Sequence, residues 1–184
     1  IACCLCGHTE LHGFTGQETY AYRFIAQKLN DTLPELMLSV EPNTTCTPQS
    51  AAIWWLTEQS DSPSDQVLVT QYALAVLFVS WNGLYWKNNS RWLTTYPFCS
   101  WEGITCSGNN EIVVEEIVLY EQNLTGTIPA DMPELFPSLR VLDLSRNELV
   151  GSVPQMLPPN VSDIGLANNM LGGSLPASWS NLTE

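Results

Sequence analysis

The chain has 184 residues, room for one domain with a sizeable core, and six basic residues face nineteen acidic ones for a formal charge of −13. That balance excludes a nucleic-acid partner, since phosphate binding needs Lys and Arg to release counterions, and it disfavours anionic membrane surfaces for the same reason. The acid reads mainly as a solvated surface, one that also suits divalent cations or basic partners.

The chain begins Ile1-Ala2-Cys3-Cys4 with no signal peptide in view, as a processed or trimmed chain would. Residues 1–17 are rich in Cys, Gly and His without an apolar period, which predicts an irregular segment. From Glu18 the pattern turns helical. Tyr20, Phe24, Ile25, Leu29, Leu33 and Leu36 recur at three- and four-residue steps as the expected buried face, Asn30 falls on the other face, and Pro34 ends or kinks the helix. A polar turn over residues 41–45 follows. Thr47-Pro48 then has the form of an N-cap with proline in the first turn, opening a short helix that carries Ala51, Ala52, Trp54, Trp55 and Leu56.

After a Ser-, Asp- and Pro-rich loop, Ser64 or Asp65 caps a third helix running to about Trp81. Its apolar run from Val67 to Trp81 is interrupted by Thr70 and Gln71 and falls short of a membrane span, so it predicts a buried helix. Asn82-Gly83 stops it with a positive-φ turn. The stretch from Trp81 to Cys106 is dense in aromatics: Trp81, Tyr85, Trp86, Trp92, Tyr96, Phe98 and Trp101. Aromatic packing inside a small cap is the expectation here, over a carbohydrate-stacking platform, because the periodic region that follows needs a lid.

Beyond Gly108 three segments align on L-x-L-x-x-N-x-L-x-G-x-I-P: Ile117 to Pro129, Leu142 to Pro154 and Ile164 to Pro176. Their closing prolines stand 25 and 22 residues apart, within the range of leucine-rich repeats. The paired aliphatic positions, Leu142 and Leu144 for example, alternate inward on short strands of a parallel sheet. Asn147 and Asn169 should turn inward so that their amides satisfy backbone groups where the chain leaves the strand. Gln122 holds that place in the first copy and, one methylene longer, predicts a looser first rung. Gly126, Gly151 and Gly173 permit the turn. Stacking buries what no single copy can bury alone.

Six cysteines, Cys3, Cys4, Cys6, Cys46, Cys99 and Cys106, make the even count of a disulfide framework. Asn-x-Ser/Thr acceptors at Asn30, Asn43, Asn88, Asn123, Asn160 and Asn181 point independently to N-glycosylation and the eukaryotic secretory route. A metal site at Cys3, Cys4, Cys6, His8 and His12 is the rival reading. It is disfavoured because the ligands crowd one segment and an oxidising compartment would oxidise the thiols. No metal or cofactor is expected.

The L-x-G-x-I-P element resembles the plant-type leucine-rich repeat of receptor-like ectodomains and secreted inhibitors. Cys99-Ser-Trp-Glu-Gly-Ile-Thr-Cys106 is similar to the C-x-W-x-G-V-x-C signature closing their amino-terminal cap, which implies that Cys99 and Cys106 bond to each other. Tyr72-Ala-Leu-Ala-Val-Leu-Phe, Trp81-Asn-Gly-Leu-Tyr-Trp86 and Trp92-Leu with that cysteine box resemble secreted or cell-surface repeat proteins of diatoms and related algae. The remaining four cysteines then allow three pairings, with Cys46 expected to reach back to one of the first three, since a Cys3–Cys4 bond would be strained. The expected fold class is α/β: a leucine-rich repeat solenoid of about three repeats with a short parallel sheet, preceded by a mainly helical, disulfide-stapled cap. Residues 1–110 form the cap region and 111–184 the repeats.

On such a solenoid the exposed strand positions line the concave face: Glu116, Val118, Tyr120 and Glu121, then Val141, Asp143, Ser145 and Arg146, then Asp163, Gly165, Ala167 and Asn168. Catalysis has no constellation to carry it. Both histidines lie in the first twelve residues, no G-x-S-x-G elbow occurs, and Glu115-Glu116 face opposite ways on a strand. Residues 181–184 match the stretch before a further strand, so the expected solenoid ends in mid-repeat without a polar cap. These features point first to a non-enzymatic extracellular glycoprotein binding proteins or glycans at the surface or matrix. A structural subunit assembling head to tail with its own copies is the alternative, and a secreted hydrolase inhibitor the third reading.

Overall fold

The computed structural model describes residues 16–36, 38, 47–59, 64–107 and 113–181. Cys3, Cys4, Cys6, Cys46 and Asn43, with the rival metal ligands His8 and His12, lie outside the described residues. By packing, the chain divides into two compact units, Ile1–Val79 and Ser80–Glu184.

In the first unit, α1 is Gly16–Thr32, α2 is Pro48–Thr57 and α3 is Asp65–Ser80. The buried side of α1 is Tyr22, Ala26 and Leu29, at spacings of four and three residues. This corrects the expected face. Leu29 is buried as predicted, but Tyr20 is 70% and Phe24 56% exposed. The rotation has a local cause: the Tyr22 ring lies 4.8 Å from that of Trp54 on α2, so the helix turns to bury that aromatic pair. Burial pushes the Tyr22 phenol up to about 12. After a single 3₁₀ turn at Pro34–Leu36, the Asn30 side chain pairs with the backbone of Leu38 in both directions, each bond 2.8 Å.

The α2 start is as the sequence predicts and more complete. The Thr47 hydroxyl accepts from the Ser50 N–H and the Ser50 hydroxyl accepts from the Thr47 N–H, both at 3.1 Å, a reciprocal capping box ahead of Pro48. Residues Ser50–Leu56 of α2 and Tyr72–Phe78 of α3 are buried on every side of their helices. No helix among the described residues is long and apolar enough to cross a membrane.

Near the start of the second unit Asn82, at φ 59°, turns the chain out of α3. Trp81, Trp86, Trp92, Phe98 and Trp101 are buried, while Tyr85 and Tyr96 stand in solvent. The indole N–H of each of these four tryptophans has a carbonyl: Trp81 on Thr127, Trp86 on Trp81, Trp92 on Glu102 and Trp101 on Tyr96. The rings of Trp86, Trp92 and Trp101 meet in series at 4.9 and 5.2 Å. The cluster is therefore a packed interior whose polar atoms are spent on backbone.

Cys99 and Cys106 form a disulfide, Cα atoms 5.6 Å apart. It bounds β1 (Ile104–Cys106), which pairs antiparallel with β2 (Val114–Val118), Ile104 opposite Ile117. From β2 onward the strands run parallel. β3 is Thr125–Gly126, β4 Val141–Asp143, β5 Glu148–Ser152, β6 Asp163–Gly165 and β7 Met170–Gly172, with a one-turn helix, α4, at Met132–Leu135. One sheet has the order β1-β2-β4-β6 and the other β3-β5-β7. Each strand with its following turn is called a rung below. Ile117, Leu119, Leu124, Leu142, Leu144 and Leu149 of the repeats are almost fully buried, as are Met132, Leu135, Phe136 and Leu139. Gly126 is obligatory: its φ is 90° and a Cβ there would strike the Ser80 carbonyl.

Candidate functional site

The solvent-facing side of the β2-β4-β6 sheet is assembled by register. Glu116, Val141 and Asp163 form one row and Val118, Asp143 and Gly165 the next. Backbone bonds from Leu119 to Asp143, Glu121 to Ser145, Leu144 to Gly165 and Arg146 to Ala167 extend the ladder past the strands, placing Tyr120, Ser145 and Ala167 in a third row. Nine of the twelve expected face residues thus stand side by side in three rows. Val118 and Tyr120 are each 41% exposed, an apolar and an aromatic contact on the first rung.

Glu121, Arg146 and Asn168 follow as a row of left-handed corners, φ 54°, 56° and 57°, where each rung leaves its strand. The Arg146 guanidinium lies over the Tyr120 ring, 5.5 Å from its centroid. Lys87 holds Glu121 at 2.8 Å, and its hydrogen bond and charge keep that carboxyl below the ordinary glutamate value. Lys87 was not legible as a site residue, since only the fold brings it to a partner 34 positions away. In the middle row the Asp143 carboxylate accepts from the Ser145 N–H at 2.9 Å. Gly165 makes room for it: a Cβ there would press on that carboxylate and come within 2.8 Å of the Ser145 hydroxyl. The face is therefore acidic along Glu116, Asp163 and Asp143, and aromatic with a cation at the corner row.

Beneath it the asparagines do what their spacing predicts. Asn147 donates to the carbonyls of Leu119 and Leu144 and accepts from the N–H groups of Gln122 and Leu124. Asn169 donates to Leu144 and Leu166 and accepts from Leu149. Gln122 is not the loose member expected. Its extra methylene carries Oε1 to the N–H of Asn88, 2.9 Å away, tying the first rung to the segment before β1.

Of the glycosylation candidates, Asn123 and Asn160 are exposed and Asn30 and Asn88 half-buried. Asn88 accepts from the N–H of Ser90 within its own acceptor triplet, and Asn160 donates to the Pro137 carbonyl. Asn181 ends the 3₁₀ turn Ala177–Asn181.

Residues 138–159, the second rung with its approach, match the family model of the Leucine Rich Repeat. The chain is 35% identical over 83 residues to STRUBBELIG-receptor family 1 of Arabidopsis thaliana, covering 45% of this chain and 10% of that protein. It is 34% identical over 95 residues to phytosulfokine receptor 1 of the same plant, covering 50% and 9%. The chain spans about a tenth of the length of these curated relatives. Among solved structures, the BIR2 ectodomain of Arabidopsis thaliana matches with 33% identity and a TM-score of 0.43, covering 46% of this chain and 45% of that one.

Proposed function

We propose that the chain is an extracellular protein-binding module in which the rungs build a leucine-rich solenoid and the outer side of the β2-β4-β6 sheet is its concave, partner-binding face. The observation that carries this reading is the open first-rung surface: Val118 and Tyr120 stand half in solvent beside Arg146, with Asp143 and Ser145 adjacent. Aromatic and arginine side chains are the types that anchor protein interfaces. Support from outside the chain comes from relatives that are receptors by name. The Cys99–Cys106 disulfide and the Asn-x-Ser/Thr triplets support an oxidising, secretory setting and a glycoprotein. The test is capture of cell-surface and matrix proteins from the source organism by immobilised chain, repeated with Tyr120→Ala, Val118→Arg and Asp143→Arg. Partners lost with the face variants but kept with a remote exposed variant, Met156→Ser, support the reading; partners indifferent to all three sink it.

One observation favours a second reading, assembly of copies end to end. Val153, Ile164, Leu166, Leu171, Leu175 and Trp179 line an apolar trough at the last rung. Light scattering on concentrated protein separates the readings, because a monodisperse monomer leaves no room for a polymer.

A further inference from the structure

Resting on the extracellular reading above, we propose that Asn123 carries an N-linked glycan and that Asn30, in an equally valid acceptor triplet, does not.

The two sites differ in what the folded chain has done with the amide. The Asn30 side chain offers Oδ1 to the N–H of Leu38 and Nδ2 to its carbonyl, both at 2.8 Å. Pairing with the N–H and C=O of one residue uses a single edge of the amide. The hydrogen on that edge is the one syn to Oδ1. A sugar attached to Nδ2 makes a secondary amide, which keeps its substituent trans to Cβ and hence syn to Oδ1, the cis form being about 2.5 kcal/mol less stable. The glycan would therefore replace the hydrogen that Leu38 receives. Asn30 is a pin that closes the loop after α1, and a glycan there would pull the pin out.

Asn123 makes no such commitment. It is exposed, it sits at a left-handed turn of φ 63°, and its amide has no hydrogen bond among the described residues. Its outward aim is enforced by the next residue: Leu124 is fully buried, with its N–H on the Asn147 side chain at 3.0 Å. Thr125, the third member of the triplet and the first residue of β3, pairs with Glu148 of β5, which fixes the chain just after the acceptor. A glycan here stands just past Glu121 at the end of the first rung, leaving the opposite end of the face, where Glu116 lies, uncovered.

The experiment is glycopeptide mapping of the full chain secreted from a eukaryotic host, with glycans released enzymatically in heavy-oxygen water to mark each occupied asparagine. Two variants accompany it. Asn123→Gln removes the acceptor, and Thr32→Ala abolishes the Asn30 triplet while keeping the Asn30 amide. The expected result is a marked Asn123, an unmarked Asn30, an electrophoretic shift by one glycan for Asn123→Gln and none for Thr32→Ala. A marked Asn30 or a bare Asn123 overturns the proposal. If Asn123 is bare, oxidised Cys99 and Cys106 show that this assignment alone has failed; free thiols show that the extracellular reading has failed with it.

Discussion

The side-chain amide of Asn147 reaches the carbonyl of Leu119, 28 residues earlier in the chain, at 2.8 Å. The same side chain takes the N–H groups of Gln122 and Leu124 on its oxygen. One buried residue thus satisfies both donors and acceptors of the preceding turn, where no strand partner is available.

Replacing Asn147 by Leu should cost about 2–4 kcal/mol, because several buried backbone groups lose their partners at once. Asn147→Asp keeps the acceptor and loses the donors, so it should be intermediate or worse, with a buried charge added. Urea unfolding of the oxidised chain measures both. A midpoint within error of the parent would refute the role assigned to this amide.

Gly165 predicts a coupled pair. Gly165→Ala should destabilise by about 1–3 kcal/mol through overpacking against Asp143 and Ser145. In an Asp143→Ala background the same change should cost much less, and a double-mutant cycle reads the difference. Additive effects would mean that the carboxylate moves aside freely.

The Cys99–Cys106 bond closes a short loop, a separation of 7 residues. Loop-closure entropy assigns it about 2–3 kcal/mol. Cys99→Ser with Cys106→Ser should lower the stability of the second unit by that amount while leaving the first unit's helical signal in place. Hydrogen exchange on β1 and β2 would locate the loss; unchanged protection there would contradict it.

Tyr22 sets an alkaline limit on the first unit. Its phenol has an ordinary value of 10.0 and is raised to about 12 in the folded chain. The folded state therefore holds the proton more tightly than the unfolded state. Its contribution is whole below pH 10 and drains away as pH rises toward 12. Tyr22→Phe should flatten the pH dependence of helix unfolding in that window. A parent and variant with the same alkaline slope would show that another group is responsible.

The parts legible in sequence were those where one residue type answers one backbone demand. Thr47 before Pro48, Asn82 at a left-handed turn, and Asn147 and Asn169 below their strands all follow from local chemistry. Register then placed the expected face residues side by side. What escaped depends on distant partners. The stripe of α1 turned because Trp54 sits opposite Tyr22, which no spacing within the helix encodes. The β3-β5-β7 sheet escaped because Thr125–Gly126 and Met170–Gly172 are too short and too small for an alternating pattern. β1 is three residues held by a cystine and a neighbouring strand, with no periodicity to read.

The asparagine bonds also have a direction. Asn147 serves the turn at Leu119–Leu124, and Asn169 serves the turn at Leu144–Leu149; each rung's comfort is supplied by the one after it. Loss of order in the third rung would strip Leu149 of its acceptor and weaken the second, whose own amide would then be less firmly held for the first. Disorder started at Asn169 would therefore travel one rung at a time toward the tryptophan-packed segment, like a zip opened in one direction.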